Sequence, residues 1–280
     1  MTIKNQEMTV ALCQMNSTDD VDTNLMQMES LIEKIPEASN VRLICFPENC
    51  LYMRIREGER IQGMRPSDDA FQSLQSIAKK KKTFIHLGAL PLRIDDHLYN
   101  SSVTITDQGE FVASYQKMHL FDIQLEGQAP FRESDVYRHG QKPQILEIDG
   151  WKFGQTICYD LRFSELFAWY AARDVDAFLV PASFLVKTGE AHWEVLMRAR
   201  AIESQAYIIA SAQGGAHRSV NGVGLRETYG NSLIADPWGK VVLGLDETPS
   251  IQIYTLSRAL IEKVRTQIPM KFHRRLSSIS

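Results

Sequence analysis

Apolar residues recur along the chain in two rhythms. Short, β-branched runs bounded by turn signals occur at Thr9–Met15, Val41–Phe46, Thr83–Leu90, Ser102–Thr106, Phe111–Tyr115, Phe153–Cys158, Val175–Val180, Tyr207–Ala212, Ser232–Ala235 and Ile251–Leu256. These predict strands. Elsewhere apolar positions return every three or four residues, over Asp20–Ile35, Asp68–Lys82, Ser164–Arg173, Glu190–Ser204 and Ser257–Thr266. That spacing predicts helices with one buried face, and Asp20 and Ser67 are the expected N-caps. The alternation of the two rhythms predicts an α/β fold. Two of the strands meet at Asp107-Gln108-Gly109, a hairpin-like turn, so the sheet is not expected to be purely parallel. Pro and Gly cluster at Gly127–Pro130, Gly214–Gly224 and Pro237–Gly239, which predicts loops. With no repeat or low-complexity linker, residues 1–280 are expected to form one domain.

Composition narrows the function classes. The 280 residues include 44% hydrophobic and 23% charged side chains, enough to build a core, and the 31 basic and 34 acidic residues leave a formal charge of −3. Such a balance offers no electrostatic footprint for nucleic acid or acidic lipid. No apolar stretch approaches the roughly 20 residues of a membrane span, and the N-terminal segment lacks the pattern of a secretion signal. Cys13, Cys45, Cys50 and Cys158 form no C-x-x-C pair, and the seven histidines are scattered. Free thiols in a reducing cytoplasm, with no metal and no cofactor, are therefore expected.

The strongest candidate for chemistry is Phe153-Gly154-Gln155-Thr156-Ile157-Cys158-Tyr159-Asp160-Leu161-Arg162, where an apolar strand ends at a cysteine and a helix follows. A strand-to-helix bend projects its side chain outward and frees backbone N–H groups for an oxyanion. Cys158 is the leading nucleophile; the competing reading is an inert core cysteine. A thiol needs a base or a cation to act near neutral pH. Glu48 stands just past the strand Val41–Phe46, where open α/β sheets place their sites, although a lone glutamate is commonly a solvated loop acid. Lys117 follows the strand Phe111–Tyr115 and could stabilise an oxyanion and help keep the thiol ionised, or lie on the surface. His119, on the same side of an extended chain, leaves a Cys–His pair open.

Glu48, Lys117 and Cys158 at three successive strand ends resemble the carbon–nitrogen hydrolase (nitrilase) superfamily. The resemblance rests on Phe46-Pro47-Glu48, on Tyr115-Gln116-Lys117-Met118-His119-Leu120-Phe121-Asp122, and on Ile157-Cys158-Tyr159-Asp160-Leu161-Arg162-Phe163-Ser164-Glu165-Leu166. Gly189-Glu190-Ala191-His192-Trp193-Glu194, Arg198–Gln205 and Asp236-Pro237-Trp238-Gly239 extend it over almost the whole chain. It is greatest to the branch containing deaminated glutathione amidase and omega-amidase. It implies a four-layer α-β-β-α sandwich with a C-terminal tail, and a homodimer or larger even-numbered homo-oligomer. It assigns Cys158 as nucleophile, Glu48 as general base and Lys117 as oxyanion stabiliser. Phe131-Arg132-Glu133-Ser134 matches the segment carrying a further glutamate, so Glu133 is expected to position substrate or a catalytic partner. Ser164 stands where proline is common in the branch, Asn231 where histidine is common, and the Gly214–Thr228 loop is longer than expected; these departures bear on substrate.

The implied reaction is hydrolysis of a small carboxylate-bearing amide through a cysteine thioester, with release of ammonia. A backbone N–H near Tyr159 would share the oxyanion with Lys117. Arg162 could pair with a substrate carboxylate through its planar fork or form a structural salt bridge. A nitrile or carbamoyl substrate handled by the same three residues, and a catalytically silent scaffold of this fold, are the alternatives.

Overall fold

In the computed structural model, which describes residues 5–56, 58–61, 63–124 and 131–275, the chain opens with strand β1 (Glu7–Gln14), helix α1 (Val21–Glu33), strand β2 (Leu43–Cys45) and helix α2 (Asp69–Lys81). The strands β3 (Phe84–Ile94), β4 (His97–Ile105) and β5 (Phe111–Gln116) follow, then two short strands, β6 (Asp122–Ile123) and β7 (Phe131–Arg132). The second half begins with β8 (Ile145–Ile148), β9 (Trp151–Gln155), α3 (Ser164–Ala171), β10 (Ala177–Leu179), α4 (Val186–Ser204) and β11 (Tyr207–Ala210). It closes with β12 (Gly214–Arg218), β13 (Leu225–Tyr229), β14 (Leu233–Ala235), β15 (Val241–Gly244), β16 (Ser250–Ser257), α5 (Arg258–Gln267) and α6 (Met270–His273).

Two six-stranded sheets result, ordered β16-β1-β2-β3-β4-β5 and β15-β14-β11-β10-β9-β8. In each, three central strands run parallel, β1-β2-β3 and β9-β10-β11, and the flanking strands pair antiparallel. Period two explains how one strand serves two cores. Along β1, Val10 and Leu12 enter a cluster with Ala177 and Leu179 of β10, whereas Ala11 and Cys13 pack with Met28 and Leu31 of α1 and Phe71 and Leu74 of α2. Along β10, the intervening Phe178 packs with Phe167 of α3 and with Trp193 and Met197 of α4. The layers are therefore helix, sheet, sheet and helix, the four-layer α-β-β-α sandwich of the sequence expectation. Because both faces of these strands are buried, they read in sequence as continuous apolar runs.

Several local expectations are corrected. Asp20 does cap α1, accepting from Thr23 N at 2.8 Å. The cap of α2 is Asp68 rather than Ser67, and its carboxylate turns back to accept from Arg65 N at 2.8 Å. Helix α4 starts at Val186, four residues before the expected Glu190. Gly189, which reads as a break, lies inside its first turn because a Cβ there would stand 2.2 Å from the Tyr229 ring. Gly214–Gly224, expected as a loop, instead supplies β12 and the turn of a hairpin with β13, registered by Gly214↔Tyr229 and His217↔Arg226. The Gly127–Pro130 cluster and the tail beyond residue 275 fall outside the described residues.

Candidate active site

Glu48 is placed by an irregularity in the first sheet. The β3–β4 register shifts between Leu87 and Leu90, and there Glu48 forms a bridge with Ala89, while Asn49 N donates to Ala89 O at 2.8 Å. Bulges of this kind re-aim side chains at the ends of strands. Gly88 makes the approach possible, since a Cβ would come within 2.3 Å of Phe46 O and 2.4 Å of the Pro181 side chain. From the second sheet's side, Gln213 Nε2 donates to Glu48 O at 3.0 Å.

Cys158 follows β9 and opens a short 3-10 turn, Cys158–Arg162. Its φ of 50° lies in the left-handed region, which costs a residue with a Cβ about 1–2 kcal/mol. Cys158 N donates to Pro181 O at 2.8 Å, and the buried Asp160 carboxylate organises the rest of the turn. Asp160 accepts from Ile157 N at 2.9 Å, Tyr115 OH at 2.7 Å and His119 N at 3.0 Å, and it pairs with His119 Nδ1 at 2.7 Å. Asp160 thus ties the cysteine turn to the segment that carries Lys117. It also accounts for His119, whose ring stacks on Phe163 at 3.7 Å between centroids. A histidine held this way is the partner of Asp160, and the Cys–His pair left open by the sequence is not formed.

Lys117 sits one residue past β5, its N–H bonded to Asn100 O at 2.9 Å. Its ammonium lies 3.1 Å from Glu48 Oε1 and 2.9 Å from Glu133 Oε2. Asn100 Nδ2 closes the group, donating to Glu48 Oε1 at 2.9 Å and to Glu133 Oε1 at 2.7 Å. Glu133 also accepts from Phe121 N at 2.7 Å. Exposure is 4% for Glu48, 2% for Lys117, 6% for Glu133, 4% for Asn100 and 8% for Cys158, so these groups act on one another with little screening.

The protonation states follow. Burial works against the Lys117 ammonium, but the Glu133 and Glu48 carboxylates outweigh it and hold the lysine well above its ordinary value. Burial would raise Glu48, yet the Lys117 charge and hydrogen bonds from Cys158, Asn100 and Lys117 keep its carboxyl below its ordinary value. Burial, and then the Glu48 charge, push the Cys158 thiol well up, with Lys117 pulling the other way and losing. The resting pair is therefore a neutral thiol beside a carboxylate. This corrects the expectation that Lys117 keeps the thiol ionised; proton loss has to accompany attack.

The thiol lines a cavity, partly open to solvent, that Glu48, Lys117, Glu133, Tyr159 and Arg162 also line. The Tyr159 ring meets Phe121 and Phe163 edge-on at 5.0 and 5.4 Å. Arg162 lies 5.7 and 5.5 Å above the Tyr159 and Phe184 rings, and Nη1 is 3.2 Å from His192 Nδ1. Among the described residues it has no carboxylate partner, so the salt-bridge reading has no support. The sequence missed Asn100, Asp160, Arg54 and Arg226, the last two also on the cavity wall. The run of three consecutive polar residues Asn100-Ser101-Ser102, all buried in strand β4, is the signal that could have flagged Asn100. Among the described residues no cluster of three His, Cys, Asp or Glu could hold a metal ion, and no helix is long and apolar enough to cross a membrane.

An α-β-β-α sandwich with a buried thiol, carboxylate and ammonium at the ends of strands from both sheets defines a class of thiol-dependent hydrolase. The chain belongs to the carbon-nitrogen hydrolase family, which it matches over residues 9–266, and is accordingly a hydrolase of non-peptide carbon–nitrogen bonds. It is 33% identical to the deaminated glutathione amidase of Yersinia enterocolitica, an alignment covering 96% of this chain and 93% of that one. It is also 33% identical to the deaminated glutathione amidase of Dictyostelium discoideum, over 96% and 94% of the two chains. The crystal structure of Saccharomyces cerevisiae Nit3, a member of branch 10 of the nitrilase superfamily, superposes with a TM-score of 0.82 at 27% identity, covering 99% of each chain.

Proposed function

We propose that the protein hydrolyses the C–N bond of a small carboxylate-bearing amide, of the deaminated glutathione or omega-amide type, through a thioester on Cys158. The observation that carries this reading is the buried Lys117 ammonium held by Glu48 and Glu133, with Asn100 bridging the two carboxylates, on the wall of the cavity that Cys158 also lines. Cys158 Sγ attacks the carbonyl carbon as its proton passes to Glu48, and the carbonyl π pair moves onto oxygen. Lys117 Nζ and the backbone N–H of Tyr159 stabilise that oxyanion. Collapse breaks the C–N bond while Glu48 returns the proton to the leaving nitrogen. Ammonia leaves from a primary amide; from deaminated glutathione, a secondary amide, the leaving group is a larger amine. Water then gives a proton to Glu48 and attacks the thioester, releasing the acid and the thiol.

Glu133 positions Lys117 and Asn100 in this scheme, and Arg162 binds a substrate carboxylate with its planar fork. The reading extends to one domain over residues 1–280, for which the family match over residues 9–266 is the support, and to a cytoplasmic setting and a homodimer or larger even-numbered oligomer. The test is an amine- and ammonia-release screen across omega-amides of keto acids, deaminated glutathione, nitriles and carbamoyl compounds. Free-acid amides are expected to outrun their methyl esters by roughly ten- to a hundredfold, the worth of a charge-assisted bond to arginine. Faster turnover of nitriles or carbamoyl compounds would replace the amide reading. Absence of all turnover would favour a silent scaffold.

A further inference from the structure

The cavity wall carries more positive charge than the chemistry uses. Glu48 and Glu133 share the one Lys117 ammonium, and their remaining charge also acts on Arg226 without contact, while Arg162 stands over the rings of Tyr159 and Phe184. Arg54 and Arg226 form a separate group: both guanidinium carbons lie 5.9 Å from the centroid of the Phe131 ring, and both residues line the same cavity as Cys158. Elsewhere Arg42, Arg56, Arg200 and Arg258 each hold a carboxylate at 2.7–2.9 Å. Among the described residues neither Arg54 nor Arg226 has an acidic partner, and the side-chain bond Arg226 makes is a long one, Nη1 to Arg54 O at 3.4 Å. Two guanidiniums near one ring repel each other, and an anion within reach of both would relieve that repulsion.

The arrangement is also built. Along β13, Arg226 and Thr228 point inward while Leu225 and Glu227 are exposed, as period two requires. Opposite Arg226, the buried His217 is fixed by Ser17 O at 2.8 Å and Thr228 Oγ1 at 2.6 Å. The turn of the hairpin is held by Asp19, which accepts from Ser219 Oγ at 2.5 Å and Val220 N at 3.0 Å. A strand pinned on both sides presents its arginine without paying to order it on binding.

We propose that Arg226, with Arg54 beside it, is a second anion-binding pole of the cavity, so that the preferred amide carries two separated carboxylates, one for this pole and one for Arg162. The inference rests on the amidase reading and narrows its substrate class to dianions. Deaminated glutathione, whose amine half ends in a second carboxylate, tests it against the counterpart with that terminal carboxylate turned into a carboxamide. The free acid is expected to be favoured roughly ten- to a hundredfold in kcat/KM, mainly through KM. Arg226→Gln should bring the ratio to about one, Arg226→Lys should retain part of it, and Arg54→Gln serves where Arg226→Gln proves unfolded by circular dichroism. No preference in the wild type, or a ratio untouched by the neutral variants, overturns the proposal. If neither compound turns over, the amidase reading fails separately, and calorimetry on Cys158→Ala protein decides the pole. Tighter binding of the dianion, lost on adding Arg226→Gln, supports it, and equal binding of the two compounds overturns it.

Discussion

Asn100→Asp exchanges an NH₂ for an oxygen at nearly constant volume, yet it should be among the most damaging substitutions in the protein. Asn100 Nδ2 donates at 2.9 Å to Glu48 and at 2.7 Å to Glu133. An ionised carboxylate in its place would face each of them with about 6 kcal/mol of repulsion at an effective dielectric constant of 20. The introduced group is therefore expected to stay protonated in the folded protein at pH 7, three units above its unfolded value near 3.9, which costs about 4 kcal/mol. One O–H replaces two N–H donors, and the lost charge-assisted bond adds about 1.5–3 kcal/mol. The sign is set by a folded pKa raised above the unfolded one. The 4 kcal/mol penalty is absent below pH 4 and grows as pH rises through the window up to the folded value. Urea unfolding of variant and wild type in parallel from pH 4 to 8 measures it, because the titrations common to both cancel. The gap should widen by roughly 1.4 kcal/mol per pH unit, while Asn100→Leu should give a gap without slope. A flat gap for Asn100→Asp would show that Asn100 does not stand between two ionised carboxylates.

Cys158→Ala should abolish turnover and leave the circular dichroism spectrum intact, and Glu48→Gln and Lys117→Ala should be nearly as severe, since groups acting as one unit are not additive; His119→Ala as severe as Cys158→Ala would reinstate the Cys–His pair. Iodoacetamide should label Cys158, 8% exposed, ahead of Cys13, Cys45 and Cys50 at 0–2%, at a rate that climbs with pH because the resting thiol is neutral; a rate constant from pH 6 to 9 would mean a standing thiolate. Burial lowers His86 to about 3 and His217 to about 4 from 6.5, so both bind protons on unfolding and stability should fall as pH drops from about 6.5, each adding about 1.4 kcal/mol per unit until its folded value is reached; His86→Gln that leaves the urea-measured slope unchanged would count against this. Prolonged chelation should leave the rate unchanged, and activity lost to chelator and restored by zinc would overturn the metal-free scheme.

All ten apolar runs became strands; the central ones are apolar throughout because both faces are buried, as Ala11 and Val10 serve different cores, whereas the edge strand β16 exposes Gln252 and Thr255. Elements without that double demand were harder to read. The hairpin of β12 and β13 pairs only with itself, and its Gly, Ser and Asn residues carry the composition of a loop. The strands β6 and β7 span two residues each, too few for any period. Glu48, Lys117 and Cys158 could be singled out because strand ends are visible in a sequence, and the structure brings all three to one cavity with Glu133. Asn100 and Asp160 could not, since their importance lies in what faces them: two carboxylates from distant segments for one, and a tyrosine, a histidine and a backbone turn for the other. Arg54 and Arg226 are 172 positions apart in the chain and become neighbours only around Phe131.

The groups proposed to react come from both sheets: Glu48 leaves β2 and Lys117 leaves β5 of one, while Cys158 leaves β9 of the other. Neither half of the chain holds a base, a cation and a nucleophile together, so a nascent or half-folded chain exposes a thiol of ordinary reactivity and nothing more. Chemical competence requires the two sheets to be closed on each other, as they are where Gly88 meets Pro181. Opening the sandwich would part the carboxylate and the ammonium from the thiol, and is expected to abolish turnover even with the secondary structure intact.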